Sequence, residues 1–166
     1  ATGDGIQAET NLSVSGGDIN MITGGGSQIA TEDSAKGLKA GVDLTITGGT
    51  IAIDAADDAI HANGAIAIAG GEMNVATADD GVHADGLLVI YEGVLSITRS
   101  VEGIEGAAIV INGGTLRVVS SDDGINAAGD VVVDGASGFY LEINGGTVVV
   151  DAGGDGLDVL ADLLGG

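Results

Sequence analysis

The sequence contains no cysteine and no proline, and only three of its 166 residues are aromatic. Without cysteine there are no disulfides, which fits a cytosolic protein or an extracellular one that is stabilised by other means. Four lysines and arginines stand against 25 acids, which gives a formal net charge of -21. This balance argues against nucleic acid as a partner, because phosphate binding requires a basic surface. No apolar run approaches the ~20 residues of a membrane-spanning helix.

The chain consists largely of a sequence repeat with a central period of about 22 residues. Aligning the glycine or alanine that follows an acid, or a lysine in one repeat, gives seven repeats with intervals of 32, 22, 22, 22, 21 and 32 residues. The aligned positions are Gly5, Gly37, Ala59, Gly81, Gly103, Gly124 and Gly156. The two longer intervals predict loop insertions near 24–33 and 129–138. Both insertions belong to a single domain that spans 1–166.

Each repeat alternates apolar and polar residues around a Gly-Gly pair, as in "DLTITGGTIAI" and "AIVINGGTLRV". Alternation with period two predicts strands with one buried face, and paired glycines indicate a tight bend. One such repeat cannot bury its own apolar face, so successive repeats must stack. The pattern therefore predicts an all-β, right-handed parallel β-helix of about seven coils. The sequence lacks the signature of leucine-rich repeats. A β-sandwich would not explain why the same pattern recurs every 22 residues.

Stacking turns equivalent sequence positions into columns in space, and three of these columns are rich in acids. Neighbouring carboxylates in a column would repel one another at the strand spacing of about 4.8 Å. The second repeat places lysines in two of the columns, in "SAKGLKA". An ammonium group between flanking acids relieves this repulsion. Elsewhere the columns hold no lysine or arginine, so we expect them to bind a cation.

Carboxylates and an amide are hard oxygen ligands, which favour Ca²⁺. Two histidines in one column, His61 and His83, leave zinc or nickel as an alternative. The candidate calcium ligands are Asp4, Asp57, Asp58, Asp79, Asp80, Glu102, Glu105, Asp122, Asp123, Asn126, Asp155 and Asp158.

Several of these motifs together resemble a known family. "GDGIQAETNLSVSGGDINM", "SVEGIEGAAIVINGGTLRV" and "SDDGINAAG" are similar to the bacterial carbohydrate-binding domains typified by a clostridial cellulose-binding β-helix protein. That family is similar in architecture to pectate-lyase-type polysaccharide lyases. The resemblance implies a right-handed parallel β-helix, bound calcium and an extracellular or cell-surface location. It also implies binding to a plant cell-wall polysaccharide, either cellulose or polygalacturonate.

The residues favour a binding protein over an enzyme. A pectate-type lyase combines calcium with an arginine or lysine base, and only Arg99 and Arg117 lie outside the lysine-containing repeat. Neither has a second base beside it in the sequence, so we expect no catalytic residue. Carbohydrate contacts are expected from Tyr91, Tyr140 and Arg117. Both ends of the chain fall within a repeat, so end-to-end stacking of copies into a filament or surface scaffold is an alternative expectation.

Overall fold

The computed structural model describes residues 1–129 and 139–160. The second expected insertion, near 129–138, therefore lies outside the described residues except for Gly129. The described residues form thirteen strands and no helix. The strands are β1 (Ile6–Ala8), β2 (Leu12–Thr23), β3 (Leu38–Ala40), β4 (Leu44–Ala55), β5 (Ile60–Ala62), β6 (Ile66–Thr77), β7 (Val82–Arg99), β8 (Ile104–Ile111), β9 (Thr115–Ser120), β10 (Ile125–Ala127), β11 (Tyr140–Ile143), β12 (Thr147–Ala152) and β13 (Leu157–Val159).

All strand pairs within the described residues are parallel, and they join residues one repeat apart. Leu44 of β4 pairs with Ile66 of β6, which in turn pairs with Leu88 of β7. Across the first insertion the offset is longer, and Leu12 pairs with Leu44. The long strands lie in the order β2, β4, β6 and β7, and the short strands β1, β3 and β5 follow a parallel series that also reaches β7. This solenoid-like arrangement confirms the all-β class and the parallel stacking of repeats.

The core consists of apolar columns that run through the stack. One column contains Ile46, Ile68, Ile90 and Ile111, all buried and each paired in register with the next. A second column, on the short strands and at the starts of β7 and β8, is also fully buried. It consists of Leu38, Ile60, Val82, Ile104 and Ile125. Full burial of an aliphatic side chain contributes about 1.5–3 kcal/mol, so burial of these columns stabilises the stack.

A glycine turns the chain at the same corner of successive repeats: it is the second glycine of a Gly-Gly pair in most repeats, and Gly93, after Glu92, in β7. Gly49, Gly71 and Gly93 have φ angles of 103°, 93° and 107°. Other residues rarely adopt this left-handed region because their Cβ atom collides with the backbone. Glycine at this position therefore allows the long strands to bend in the same way in every repeat.

The first insertion, residues 24–33, contains no strand and crosses the outer surface of the stack. The backbone N–H of Ser27 donates to Asp54 Oδ1 at 2.7 Å, and that of Thr31 donates to the carbonyl of Ala56 at 3.3 Å. Between these two contacts, Arg99 Nη1 of β7 donates to Gln28 Oε1 at 3.3 Å. The insertion thus spans the stack from β4 to β7. Within the described residues, no helix has the length and apolar character needed to cross a membrane.

Candidate functional site: an acidic ladder

The short strands and the starts of β7 and β8 place one polar residue of each repeat in a single column. The second residues of these strands pair in register through seven repeats: Gln7, Lys39, His61, His83, Glu105, Asn126 and Asp158. The residues on either side of them belong to apolar columns, and in the middle repeats those neighbours are buried. The alternation of the strand therefore turns these polar side chains away from the core. This register confirms the column that stacking of the sequence repeats predicts.

A second column consists of the residue just before each aligned glycine or alanine, and the backbone holds its acids in place. Asp4 Oδ1 accepts the N–H of Lys36 at 2.9 Å, and Asp58 Oδ1 accepts that of Asp80 at 3.1 Å. Asp123 Oδ1 accepts the N–H of Asp155 at 2.7 Å. Each of these carboxylates thus satisfies a backbone donor of the next repeat in the stack. Together with Asp57, Asp79 and Asp122, the two columns form what we call the acidic ladder.

Lysines supply the cations at the N-terminal end of the ladder. Lys36 Nζ lies 2.8 Å from Asp57 Oδ1 and 2.7 Å from Asp58 Oδ2, and Lys39 Nζ lies 3.2 Å from Asp4 Oδ2. Burial opposes ionisation of Asp58, but hydrogen bonds from His61 and Lys36 and their charges lower its pKa to about 2. Asp58 is therefore a carboxylate at any physiological pH, and the expected role of lysine as an internal counter-ion is confirmed.

Histidines occupy the next two repeats. His61 Nδ1 is 2.8 Å from Asp58 Oδ2, and His83 Nδ1 is 2.9 Å from Asp80 Oδ2. The two imidazole rings lie with their centroids 5.0 Å apart. Burial disfavours the charged form of His83, but the hydrogen bond to Asp80 and the nearby carboxylates raise its pKa to about 9. His83 is therefore a cation at neutral pH, because both of its ring nitrogens face carboxylate oxygens.

The C-terminal repeats of the ladder carry acids without an equivalent cation. Among the described residues, no lysine, arginine or histidine nitrogen lies within 4.0 Å of the carboxylates of Glu102, Asp122, Asp123, Asp155 or Asp158. Burial and the neighbouring Glu102 and Asp80 raise the pKa of Glu105 to about 8. Burial is the largest cause of this rise, the hydrogen bond with Glu102 and the neighbouring carboxylates add to it, and the charge of His83 opposes it.

Asn126 lies within this cation-poor part and is only 6 % exposed. Its Nδ2 donates to Glu102 Oε2 at 3.0 Å, whereas its Oδ1 is buried and has no hydrogen-bond partner among the described residues. A buried amide oxygen without a partner is rare, because it has lost water and gained nothing in return. It sits in register between Glu105 and Asp158.

Three groups of side chains bring one ligand atom each to within 4.8 Å of the others: Asp58, His61 and His83; Asp80, His83 and Glu105; and Asp57, Asp58 and Asp79. Burial and the neighbouring Asp80 and Asp58 raise the pKa of Asp79 to about 6. The set of calcium ligands expected from the sequence omits both histidines, although they occupy the same column as Glu105 and Asn126. Their position in this column is the sequence feature that places both histidines at the site.

The residues expected to contact carbohydrate occupy three different columns. Tyr91 lies near the middle of β7 and is 50 % exposed. Tyr140 is the first residue of β11, pairs with Ala108 and is 39 % exposed. Arg117 lies on β9, where it pairs with Ser96 and Val149. The structure thus places these side chains at separate positions around the repeat.

A comparison with models of known families identifies the family of this chain. The model of the family described as carbohydrate-binding domain-containing protein matches residues 1–81 and 78–164. The chain belongs to this family. The two matched segments of this carbohydrate-binding domain-containing protein together include all of the acidic ladder. No curated protein matches the chain, and no solved structure matches it.

Proposed function

We propose that this protein is a non-catalytic, calcium-binding module that attaches to a plant cell-wall polysaccharide, cellulose or polygalacturonate, outside the cell. Its fold in this proposal is a right-handed parallel β-helix of about seven coils. Membership of the carbohydrate-binding domain-containing family supports the saccharide partner. The observation that carries the calcium proposal is the ladder itself, in which the chain's own cations end at His83 while the acids continue.

The residues of the C-terminal repeats fit Ca²⁺. Calcium takes six to eight oxygen ligands from carboxylates, amide carbonyls and water. Glu102, Glu105 and Asp123 offer carboxylate oxygens, and Asn126 offers its amide oxygen Oδ1, which is buried without a hydrogen-bond partner among the described residues. We assign these four residues as the calcium-holding set. Bound there, calcium would neutralise the stacked carboxylates and offer free coordination positions to sugar oxygens.

Calorimetric titration of the chelator-treated protein with Ca²⁺ tests whether the protein binds calcium. The wild type should bind Ca²⁺ with a rise in melting temperature, because the ion binds the folded state and not the unfolded chain. Asn126→Ala should weaken binding at least tenfold, since it removes a buried oxygen ligand. Asn112→Ala is the matched control, because Asn112 is exposed and lies outside the ladder. A wild type that shows neither binding heat nor a thermal shift would contradict the calcium proposal.

Sedimentation with insoluble polysaccharide tests the partner. The protein should pellet with cellulose or with a polygalacturonate gel, and not with an inert particle of the same charge. Chelation should release it from polygalacturonate if calcium bridges protein and sugar. Failure to pellet with any cell-wall polysaccharide at saturating calcium would contradict carbohydrate binding.

Calcium-dependent elimination is a second candidate function, and one observation favours it. Arg99 lies at the end of β7, three residues before the ladder acid Glu102 in the sequence. A lyase combines this pair of features, with calcium on the uronate carboxylate and a base on the adjacent carbon. Unsaturated products that absorb in the ultraviolet, released from polygalacturonate by the wild type and not by Arg99→Gln, would establish this activity in place of binding alone.

A further inference from the structure

The two arginines of the chain lie together on one outer surface, apart from the other basic side chains. Arg117 on β9 pairs in register with Ser96 on β7, and Arg99 lies three residues after Ser96 on the same strand. Both arginines are exposed. The segments 94–100 and 115–120, which carry them, contain no acid. We call the outward side chains of Ser96, Thr98, Arg99, Thr115 and Arg117 the arginine face.

No carboxylate pairs with either arginine among the described residues. Both lysines and both histidines have a carboxylate oxygen within 4.0 Å. By contrast, the contact of Arg99 is the neutral amide oxygen of Gln28, at 3.3 Å. In a chain with 25 acids, guanidinium groups without an acid partner mark the part of the surface where an external anion meets the least repulsion.

A β-bulge shapes the surface beside Arg99. Val75 of β6 pairs with Ile97, but the next residue, Ala76, pairs with Arg99, so Thr98 is an extra residue in β7. Thr98 Oγ1 donates to the carbonyl of Val75 at 3.1 Å, which fixes the bulge. Bulges of this kind change the direction of neighbouring side chains. Here the extra residue brings Thr98 and Arg99 to the surface together, since both are exposed.

Two grooves meet at Thr98. The larger has a volume of about 350 Å³ and is lined by Thr98, Arg99 and the hydroxyl-bearing Ser100, Ser120 and Ser121, among others. The second, of about 310 Å³, extends towards the N-terminal repeats and is lined by Asn20, Asn74 and the acid Asp54, so an anion is less favourable there. Hydroxyl and amide groups beside an arginine suit a sugar that carries both hydroxyls and a negative charge.

We propose that the larger groove, beside Thr98 and Arg99, binds a uronic-acid polysaccharide, with the Arg99 guanidinium on a sugar carboxylate and Arg117, outside the groove, on another carboxylate of the same polysaccharide. This inference rests on the proposed function and names its sugar-binding surface and substrate class. A guanidinium fork matches a carboxylate in a bidentate manner, which a lysine cannot reproduce. The sugar hydroxyls meet the serine and threonine side chains, and successive sugars follow the stacking direction of the strands. Calcium on the ladder is not required for this contact.

Calorimetry with oligogalacturonate tests the proposal at one fixed, saturating calcium concentration, so that any calcium contribution is equal in all samples. Arg99→Gln should lower the affinity at least tenfold, and Arg117→Gln should lower it about threefold. Arg99→Lys should recover only part of the loss, because it keeps the charge and loses the fork. Arg99 is exposed, so the melting temperature of the variants should equal that of the wild type.

Oligosaccharides that differ in a single kind of group show which group of the sugar the protein recognises. The carboxyl-reduced oligosaccharide, which has the same hydroxyls without the charge, should bind the wild type at least tenfold more weakly. A sulfated oligosaccharide of the same length that bound more tightly than oligogalacturonate would overturn the choice of carboxylate. Equal affinity of Arg99→Gln and wild type for oligogalacturonate would overturn the site while leaving polysaccharide binding intact. A wild type that pellets with no polysaccharide would remove the proposed function as well.

Discussion

At the scale of single residues, the acidic ladder shows how the chain relieves the repulsion that its repeats create. The lysine repeat places ammonium groups 2.7–3.2 Å from three carboxylates. The next two repeats use imidazole, and the C-terminal repeats have no basic side chain in the ladder. The counter-charge that the chain itself supplies therefore changes along the stack, from lysine to histidine to none, and we propose that Ca²⁺ supplies it in the C-terminal repeats.

Replacing Lys36 tests whether a lysine side chain acts as the counter-ion of the ladder acids. Lys36→Met would leave Asp57 and Asp58 without their ammonium partner, and Asp58 is almost fully buried. Removing one partner of a buried ion pair costs about 3 kcal/mol of unfolding free energy. Lys39→Met is the matched control and should cost about 1 kcal/mol, because Lys39 is more exposed and pairs with one acid. Urea unfolding in metal-free buffer measures both, and equal losses would contradict this account.

The raised pKa values of His83 and Glu105 predict the pH dependence of the metal-free protein. His83 has a folded pKa of about 9 against an ordinary value of 6.5. Its contribution to stability is therefore complete below pH 6.5 and is lost as the pH rises through 9. Glu105, raised to about 8 from 4.5, acts in the same direction because folding disfavours its ionised form. The unfolding free energy should fall between pH 5 and pH 9.

Urea unfolding of chelator-treated protein at pH 5, 7 and 9 measures this slope. His83→Gln should flatten it between pH 6.5 and 9, because that variant no longer loses a proton there. A stability that is constant or rises over the whole range would show that His83 and Glu105 do not titrate in this way.

At the scale of elements, the repeats can stack only where glycine leaves room for the neighbouring backbone. A Cβ atom added at Gly103 would collide with Val118 Cγ1 and with the carbonyl oxygen of Gly124 in the next repeat. The same turn carries the acid of the ladder one residue earlier. The close approach of backbones thus fixes both the stacking and the position of the ladder acids.

Gly103→Ala should destabilise the protein by about 1–3 kcal/mol, because overpacking forces the two repeats apart. Gly16→Ala is the control, since a Cβ there meets nothing within 4 Å, and its effect should stay within about 0.5 kcal/mol. Thermal or urea unfolding compares the two variants. A Gly103→Ala protein as stable as the Gly16→Ala protein would contradict the close-contact explanation.

At the scale of the whole molecule, charge is segregated around the stack. The lysines and histidines lie on the acidic ladder with their carboxylate partners, and the arginines lie on the arginine face beside segments without acids. Because each repeat contributes one residue to every column, a few substitutions in successive repeats suffice to give a surface its own charge. The stack can therefore carry a cation site and a sugar groove on different surfaces.

The sequence by itself determined the all-β class, the period, the parallel stacking and the columns of the ladder. It could do so because the periodicity of apolar residues fixes which side chains face the core, and a constant repeat length fixes which residues become neighbours. Only the tertiary structure decided features that depend on local departures from the repeat. The bulge at Thr98, the contacts of residues 24–33 with β4 and β7, and the lack of a partner for Asn126 Oδ1 within residues 1–129 and 139–160 are such departures. They result from contacts between specific atoms, which periodicity does not specify.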